Sequence, residues 1–341
     1  MDSLTQIVLG AGVAELTLGK KIGNKAQLWG AIIGTIPDLD VIGGWLWQSE
    51  YQALLTHRGA SHSIFTFLLL APALGWLLNK LYKGKDNTSF WDWTKLAWWV
   101  LLTHVLLDSF TTWGTQLFWP FDHTRVAFNN IFVVDPLYTL PFLICVIACM
   151  FYKRTSKARN RWNMAGLILS TVYMMITLVN KATVDRVMEH NLREQGISTI
   201  QYSTYPSPLN NILWYGVAEG PSNLYVGYYS LLDKKPVMTF REIPKNHQLI
   251  PRDGNEAFFD CMEWVSKGYH QLEQRGDILL WHDLRFGIME MSPDAKGEFA
   301  FPFGYKLLEK DGKIYDLAQD QPKDVDFGQA FGALWERIKG L

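Results

Sequence analysis

The residues whose types and spacing could bind a metal ion are aspartates and histidines in the first third of the chain. His104 and Asp108 are four positions apart in an apolar segment, so they share one face if that segment is helical. An imidazole nitrogen and a carboxylate oxygen placed in this way can bind the same divalent ion. Asp38 and Asp40 follow Pro37, and in an unbroken helix their side chains would point about 200 degrees apart. Because Pro37 and nearby glycines can unwind a helix, the sequence allows the two carboxylates to converge.

Two histidines lie in a third polar segment, where a turn is expected before the next apolar run. His57 and His62 are five positions apart, and across a turn both imidazoles can approach one ion. Ser61 is placed to cap the helix that follows. Each segment also has an ordinary explanation. A helical His-x-x-x-Asp pair more often forms a hydrogen bond, and an Asp after proline more often forms a turn. Taken together, the three segments favour a metal site.

The number of candidate ligands indicates the kind of site. An ionisable side chain at membrane depth costs on the order of 3 kcal/mol or more, so a cluster in an apolar region is typical of a functional site. Six residues are predicted both to bind metal and to form the catalytic site: Asp38, Asp40, His57, His62, His104 and Asp108. Six ligands exceed the shell of one structural zinc, so two ions are predicted, with zinc favoured and manganese or iron as alternatives. Two ions could activate a water molecule against a phosphoester.

In their order and spacing, the three segments resemble the YdjM-like membrane-bound metal-dependent hydrolases of bacteria. The resemblance covers about residues 1–185. It implies a helical enzyme distantly similar to the zinc-dependent phospholipase C and nuclease group. It also implies a central ligand set of Asp38 or Asp40, one of the two loop histidines, His104 and Asp108. Gln6 stands where many relatives carry a histidine, and glutamine is a poor zinc ligand.

The apolar residues are unevenly distributed along the chain. Hydrophobic types make up 48% of the sequence, and long apolar runs end near Val184, after which polar residues interrupt the chain every few positions. The sequence therefore predicts a membrane-embedded domain over residues 1–184 and a second domain over residues 185–341. A multi-pass α-helical bundle of about six segments is predicted, because a spanning helix needs roughly 20 apolar residues. Four of these segments are long apolar runs, namely Ser63–Leu81, Leu96–Trp119, Ile131–Tyr152 and Trp162–Lys181. The other two, Leu4–Leu18 and Ala26–Trp47, are short or interrupted by Gly, Pro and Asp, and are predicted to be broken or protein-buried helices.

Basic residues predict the orientation of this bundle. Connections rich in Lys and Arg, near residues 20–25, 80–95 and 153–161, alternate with connections that carry only Arg58 and Arg125. Short cytoplasmic loops collect Lys and Arg, so the three basic connections are predicted in the cytoplasm of a bacterial cell. Both chain ends, the metal-ligand segments and the C-terminal domain are then predicted at the outer side of the inner membrane.

The sequence predicts that the C-terminal domain is a soluble α+β module. Alternating residues in Leu224–Tyr229 and Ile278–Trp281 predict strands, whereas residues 254–275 predict a helix. Neither a nucleotide-binding nor a serine-hydrolase motif is present in the sequence. The formal net charge of -1 gives no reason to expect a nucleic-acid partner.

Two further charged residues lie near the candidate ligands. Arg58, between the two loop histidines, is predicted to bind an anionic group of the substrate. Glu15, in the first apolar segment, is predicted either to face the site or to pair with Arg58 or Lys20.

Three functions could use this arrangement. The leading hypothesis is a membrane-bound metal-dependent hydrolase that cleaves a phosphoester or related ester of a lipid or envelope-associated substrate, with the bilayer as its partner. The alternative is a transporter that moves protons or metal ions through the same Asp and His cluster. Transporters often contain repeated broken helices, and a second Pro-Asp-x-Asp break is absent from the sequence, which favours the enzyme. A scaffold with a purely structural metal would instead need a closed ligand shell.

Overall fold

The computed structural model describes residues 1–41, 49–83, 85–251, 254–289, 301–320 and 327–340. The chain forms two compact units, the first built largely from residues 1–178 and the second largely from residues 179–341. The helices in the N-terminal part are α1 (Ser3–Ile22), α2 (Asn24–Thr35), α3 (Glu50–Thr56), α4 (Ile64–Tyr82), α5 (Phe90–Asp108), α6 (Pro136–Met150) and α7 (Lys157–Glu194). Almost all of α3 belongs to the second unit, and α7 contributes residues to both units.

Local signals in the sequence explain where several helices begin. The Asp2 carboxylate accepts a hydrogen bond from the Thr5 amide and caps α1. Ser89 and Asp92 form a reciprocal capping box at the start of α5. Asp135 accepts from two amides of the first turn of α6. The helices pack around a shared core that includes Phe67, which is fully buried.

Glycines bring α1 and α2 unusually close together. A Cβ atom on Gly10 would collide with the carbonyl group of Gly30, and one on Gly30 would collide with the carbonyl oxygen of Gly10. Gly34 packs against the backbone of Gln6 in the same way, where a Cβ would lie 2.9 Å from the Gln6 carbonyl oxygen. Small residues permit this close approach of two helix backbones. The contact places the end of α2, and the turn after it, beside the first turns of α1.

The predicted bundle of six membrane segments is wrong. Within the described residues, two helices are long and apolar enough to cross a membrane, namely α4 and α7. The helix in the predicted segment Ile131–Tyr152 is α6, which is apolar but has only 15 residues. At 1.5 Å per residue α6 is about 22 Å long, less than the roughly 30 Å of a bilayer hydrocarbon core.

The predicted segment Leu96–Trp119 is not a single helix. It begins within α5, which ends at Asp108, and the chain then continues through turns and an isolated bridge between Thr115 and Val126. In this region Leu117 is buried and Phe118 is 44% exposed, and neither belongs to a helix. A run of apolar residues therefore overestimates the helix length, because a loop can contain the same residue types as a helix.

Of the two N-terminal predicted segments, Leu4–Leu18 lies in a continuous helix and Ala26–Trp47 is interrupted. Helix α2 ends at Thr35, before Pro37, and residues 42–47 of the predicted segment Ala26–Trp47 lie outside the described residues. Helix α1 has 20 residues, but Gln6 and Glu15 are buried polar members of it. The close approach at Gly10 and Gly30 packs these two helices against each other inside the unit.

The outer faces of α4 and α7 expose large apolar side chains. On α4, Leu69 and Trp76 are 79% and 59% exposed. On α7, Val172, Met175 and Val179 are at least half exposed. Contiguous exposed apolar surface of this kind on long helices is typical of contact with lipid.

The C-terminal part contains two antiparallel sheets. The first consists of β1 (Gln201–Pro206), β2 (Leu213–Glu219), β3 (Asn223–Ser230) and β4 (Phe240–Pro244), and the second of β5 (His270–Arg275), β6 (Ile278–Asp283), β7 (Gly304–Lys310) and β8 (Lys313–Asp320). The strands of each sheet are in sequence order. The predicted strands lie in β3 and β6. The predicted helix over residues 254–275 is wrong in its second half, because α8 (Glu256–Ser266) ends before β5 begins.

Both faces of the first sheet are covered. Tyr215 and Val217 of β2 pack in a cluster with Leu284, whereas Trp214 and Ala218 pack against the last turns of α7. This arrangement follows from the alternation of side chains along a strand. Helix α9 (Phe327–Ile338) is the last described element.

Candidate metal centre

The turn after α2 carries the two aspartates of the first segment. Pro37 begins a short 3-10 turn that ends at Leu39, so the helix is interrupted where the sequence predicted. The Asp38 side chain is 20% exposed and the Asp40 side chain 8% exposed. Asp38 lies beside His62 and His104, whereas Asp40 lies beside His57 and His62, so the two carboxylates share only His62.

The loop before α4 carries the two histidines. Arg58 adopts a left-handed backbone conformation (φ 57°), and its amide donates to Asp40 Oδ2 at 2.7 Å. A 3-10 turn over Ala60–His62 then leads into α4. Ser63 caps α4 by accepting from the Phe65 amide, so the prediction that Ser61 is the cap is wrong.

The last turns of α5 carry the third pair. His104 and Asp108 lie at positions i and i+4 on one face, with His104 Nε2 3.5 Å from Asp108 Oδ2. Their side chains are 1% and 0% exposed. Such burial of a carboxylate and an imidazole requires compensating partners.

Four of the six predicted ligands converge on one point. Potential ligand atoms of Asp38, His62, His104 and Asp108 all lie within 4.8 Å of one another. His62 Nε2 is 3.4 Å from Asp38 Oδ1 and 3.2 Å from Asp108 Oδ2. His104 Nε2 is 3.5 Å from Asp38 Oδ1 and 3.4 Å from His62 Nε2.

These separations match the edges of a tetrahedron around a metal ion. Ligands about 2.05 Å from a central zinc, arranged tetrahedrally, are separated by about 3.3 Å. Five of the six separations between the ligand atoms of this group lie between 3.2 and 3.5 Å. Two neutral nitrogens and two anionic oxygens also form a donor set that suits a divalent ion. The four residues therefore fit a metal ion in both geometry and charge.

The other ring nitrogens of both histidines have partners that fix their orientation. His104 Nδ1 is 2.6 Å from the carbonyl oxygen of Gly34, which can only accept, so Nδ1 carries the proton. His62 Nδ1 is 2.9 Å from the Ser61 hydroxyl, which donates in turn to Asp40 Oδ2 at 3.0 Å. Partners of this kind turn each Nε2 lone pair towards a metal ion.

Asp40 and His57 lie beside the group of four rather than within it. His57 Nδ1 is 3.3 Å from Asp40 Oδ1, and His62 Nδ1 is 3.6 Å from Asp40 Oδ2. The His57 side chain is 29% exposed, more than any of the four. Burial lowers the pKa of His57, although Asp40 opposes that shift. The pair forms a His–Asp unit next to the candidate ion position.

Asp108 is surrounded by positive and polar groups that sequence reasoning did not assign to it. Arg58 Nη2 is 3.2 Å from Asp108 Oδ1, and Arg58 Nη1 donates to Thr111 Oγ1 at 2.9 Å. Gln6 Nε2 donates to Asp108 Oδ1 at 2.9 Å, and the Met1 ammonium also contacts this carboxylate. The sequence feature that could have identified Gln6 as a contact of Asp108 is that it is a polar residue inside an apolar run. Arg58, which was predicted to bind substrate, is 5% exposed.

Asp38 remains charged beside the two imidazoles. Burial raises the pKa of its carboxyl group, but hydrogen bonds with His104 and His62 outweigh burial and lower that pKa below its ordinary value. Glu15 does not reach this site. It pairs with Arg159, so the predicted pairing with Arg58 or Lys20 is wrong.

The basic connections meet at the opposite end of the helical unit. Lys21 pairs with Asp92 at 2.7 Å, and both Lys25 and Arg154 pair with Asp86, at 3.2 and 3.0 Å. These ion pairs join the three Lys- and Arg-rich connections. The 19 residues of α4 separate this end from the histidine loop by about 28 Å along the helix axis.

Comparison with known proteins assigns the helical part of the chain to a protein family. Residues 1–184 match the family described as YdjM inner membrane protein. A curated relative, the uncharacterized protein YfhP of Bacillus subtilis (strain 168), is 29% identical over 153 residues. That alignment covers 43% of this chain and 45% of the relative, so the chain spans less than half the length of the relative. No solved structure matches the chain.

Proposed function

The chain belongs to the YdjM inner membrane protein family, and on that premise we propose that it is a membrane-bound metal-dependent hydrolase. The ion would be held by Asp38, His62, His104 and Asp108. The observation that carries the proposal is the near-tetrahedral spacing of four ligand atoms from three separate segments of the chain.

The charge of the four ligands is compatible with a divalent ion at this position. Two carboxylates and two neutral imidazoles carry a combined charge of about -2, which one divalent cation would neutralise. Without an ion, the fully buried Asp108 relies on Arg58 and the Met1 ammonium. A buried carboxylate without compensation would cost several kcal/mol. Zinc suits this mixed nitrogen and oxygen set, and manganese would favour a larger share of oxygen.

A hydrolytic role requires that water reach the ion. Asp38 is 20% exposed, whereas the other three ligands are at most 1% exposed, so solvent approaches from the Asp38 side. When bound, a divalent ion supplies Lewis acidity that lowers the pKa of water towards 7. A water position beside Asp38 would distinguish this site from a closed structural one.

The His57 and Asp40 pair would serve the same reaction. Asp40 orients His57 through the 3.3 Å contact and His62 through Ser61. His57 is the more exposed member, so it can exchange a proton with a substrate bound at the Asp38 side. Asp40 and His57 would also be the ligands of the predicted second ion.

The distribution of charge supports an active site at the outer side of the membrane. The basic end of the unit is the end that the positive-inside rule assigns to the cytoplasm. The ligand group lies at the other end of α4, where esters of lipids or envelope precursors are accessible. The 38 residues of α7 rise by about 57 Å from the basic end, which is more than a bilayer core. Residues after α7 would then be extracytoplasmic, and alkaline phosphatase fused to the C-terminus should be active.

The proposal is tested by hydrolysis in the full-length protein. Purified protein supplied with zinc or manganese should cleave bis(p-nitrophenyl) phosphate or release a head group from phospholipid in mixed micelles. Asp38→Ala should abolish the activity, whereas Asp260→Ala, at an exposed aspartate of α8, should leave it unchanged.

The rival function predicts a different outcome. If all esters stay intact while proteoliposomes dissipate a proton or metal gradient in a His104-dependent manner, the protein is a transporter. If metal is bound but neither activity exists, the ion is structural. Either result would refute the hydrolase.

A further inference from the structure

A second polar site lies at the basic end of the helical unit, where α1 ends and α7 begins. A cleft of about 400 Å³ opens there, lined by residues of α1, of the connection after α6, and of the first turns of α7. Gln6, which contacts the metal group, and Lys20, which lines the cleft, are 14 positions apart on α1. That spacing corresponds to about 21 Å, so the cleft is separate from the candidate metal centre.

The lining of the cleft is strongly cationic. Five basic residues and a single carboxylate face it: Lys20, Arg154, Lys157, Arg159, Arg161 and Glu15. Glu15 is already occupied, because Arg159 donates to both of its oxygens at 2.7 and 2.6 Å in a buried pair. Arg154 pairs with Asp86. This leaves Lys20, Lys157 and Arg161, which form no ion pair with a described residue.

Hydrogen-bonding groups complete the site. Thr155 and Ser156 line the cleft at the start of α7, where the helix dipole favours an anion. Asn163 also lines it and is 2% exposed. Its Nδ2 donates to the Gly12 carbonyl at 3.0 Å, whereas its Oδ1 has no hydrogen-bond donor among the described residues. A buried acceptor without a donor is costly, so a ligand with a hydroxyl group would satisfy it.

The surroundings of the cleft are apolar. Leu16 lines the cleft and is 55% exposed, and Trp162, which lies between the cleft residues Arg161 and Asn163 in the sequence of α7, is 38% exposed. Helix α7 is one of the two described helices long and apolar enough to cross a membrane. The cleft therefore offers cationic groups next to a surface that suits acyl chains and an interfacial tryptophan.

We propose that this cleft binds the head group of an anionic phospholipid that carries a hydroxyl beyond its phosphate, such as a glycerol head group. Lys20, Lys157 and Arg161 contact the phosphate, and Asn163 Oδ1 accepts from the head-group hydroxyl. Leu16 and Trp162 contact the acyl chains. Basic pockets at the ends of membrane helices bind lipid head groups by the same charge complementarity.

The test uses full-length protein in neutral detergent and short-chain lipids. Phosphatidylglycerol should bind and raise the melting temperature, whereas phosphatidylcholine should not. Each basic residue near an anionic lipid contributes about 1 kcal/mol, so Lys20→Ala combined with Arg161→Ala should weaken binding about 30-fold. The control, Lys83→Ala combined with Lys95→Ala, removes the same charge from exposed lysines outside the cleft and should leave binding unchanged.

A second variant tests the hydroxyl contact. Asn163→Leu should reduce the preference for phosphatidylglycerol over phosphatidic acid, which lacks the hydroxyl. Equal loss of binding in the cleft variant and the lysine control would show diffuse attraction and overturn the proposal. Competition by inorganic phosphate at concentrations similar to those of the lipid would show a site for soluble anions and would also overturn it. Metal content should not change in the cleft variant, which separates this result from the proposed hydrolase.

Discussion

His104 donates the proton on Nδ1 to the carbonyl oxygen of Gly34 at 2.6 Å, a contact between α5 and the end of α2. The contact leaves Nε2 directed at Asp38, His62 and Asp108. A backbone carbonyl thus determines which nitrogen of His104 is available to an ion. Because Gly34 belongs to the glycine contact between α1 and α2, helix packing and ligand geometry depend on each other.

Asp38 and Asp40 should differ in their effects on metal affinity. Asp38→Asn replaces an anionic ligand of the group of four with a neutral amide, which is a poor ligand for zinc, so binding of the ion should be lost. Asp40→Asn changes a residue that orients His57 and His62, and a change of this kind typically weakens affinity about 10- to 100-fold. Competitive titration with a zinc chelator measures both. Loss of binding in Asp40→Asn with normal binding in Asp38→Asn would reverse the assignment.

Arg58→Gln should destabilise the metal-free protein more than the metal-bound protein. Arg58 compensates the buried Asp108 carboxylate, and breaking such a pair costs on the order of 3 kcal/mol. A bound ion would supply the missing positive charge, so zinc should reduce this cost. Melting temperatures with zinc and with a chelator provide the measurement. Arg193→Gln, in a largely exposed pair with Glu189, should have little effect under both conditions.

The glycine contact should be sensitive to one methyl group. In Gly10→Ala the new Cβ collides with the Gly30 carbonyl, so the helices must separate at a cost of about 1–3 kcal/mol. The turn that carries Asp38 should shift as a consequence, and metal affinity should fall. Gly332→Ala is the matched control, because a Cβ there meets no atom within 4 Å. Equal stability of both variants would mean that the close approach does not exist.

The C-terminal sheets should lose stability as the pH falls. Burial lowers the pKa of His270 well below 6.5, and His247 and Lys245 lower it further. The unfolded state therefore binds the proton first. The full contribution of neutral His270 to the free energy of unfolding is present above pH 6.5. Below pH 6.5 the free energy of unfolding decreases by up to about 1.4 kcal/mol per pH unit. Hydrogen exchange of β5 and β6 between pH 7 and pH 5 measures the decrease.

A variant without the titrating group isolates this effect. His270→Phe retains the ring stacked on Trp281, at a centroid distance of 3.8 Å, but cannot bind a proton. Its hydrogen exchange, corrected for the intrinsic rate, should change less between pH 7 and pH 5. An unchanged pH dependence would assign the effect to other groups.

Parts of the site could be predicted from the sequence, because they depend on local geometry. His104 and Asp108 share a face in any helix, and Pro37 interrupts a helix in most contexts. The choice between Asp38 and Asp40, or between His57 and His62, depends on two 3-10 turns and on the left-handed backbone of Arg58. Hydrophobic periodicity contains no information on those turns.

The membrane prediction failed for a related physical reason. Apolar residues after Asp108 lie in turns rather than in a helix, and α6 is too short for its apolar composition to imply a full crossing. Apolar composition indicates that a segment is shielded from water, whereas a membrane crossing also requires an uninterrupted helix of sufficient length. Strand prediction succeeded in β3 and β6, where alternation or β-branched and aromatic content is strong over a few residues.

Elemental analysis of the full-length protein, purified without chelator and equilibrated with zinc, tests the central claim most directly. The four-ligand site predicts about one tightly bound ion per chain in the unsubstituted protein. His190→Ala, which changes an exposed histidine of α7, should retain that ion, and His104→Ala should lose it while remaining folded. Equal zinc content in folded His104→Ala and His190→Ala, or no zinc in the unsubstituted protein, would contradict the account.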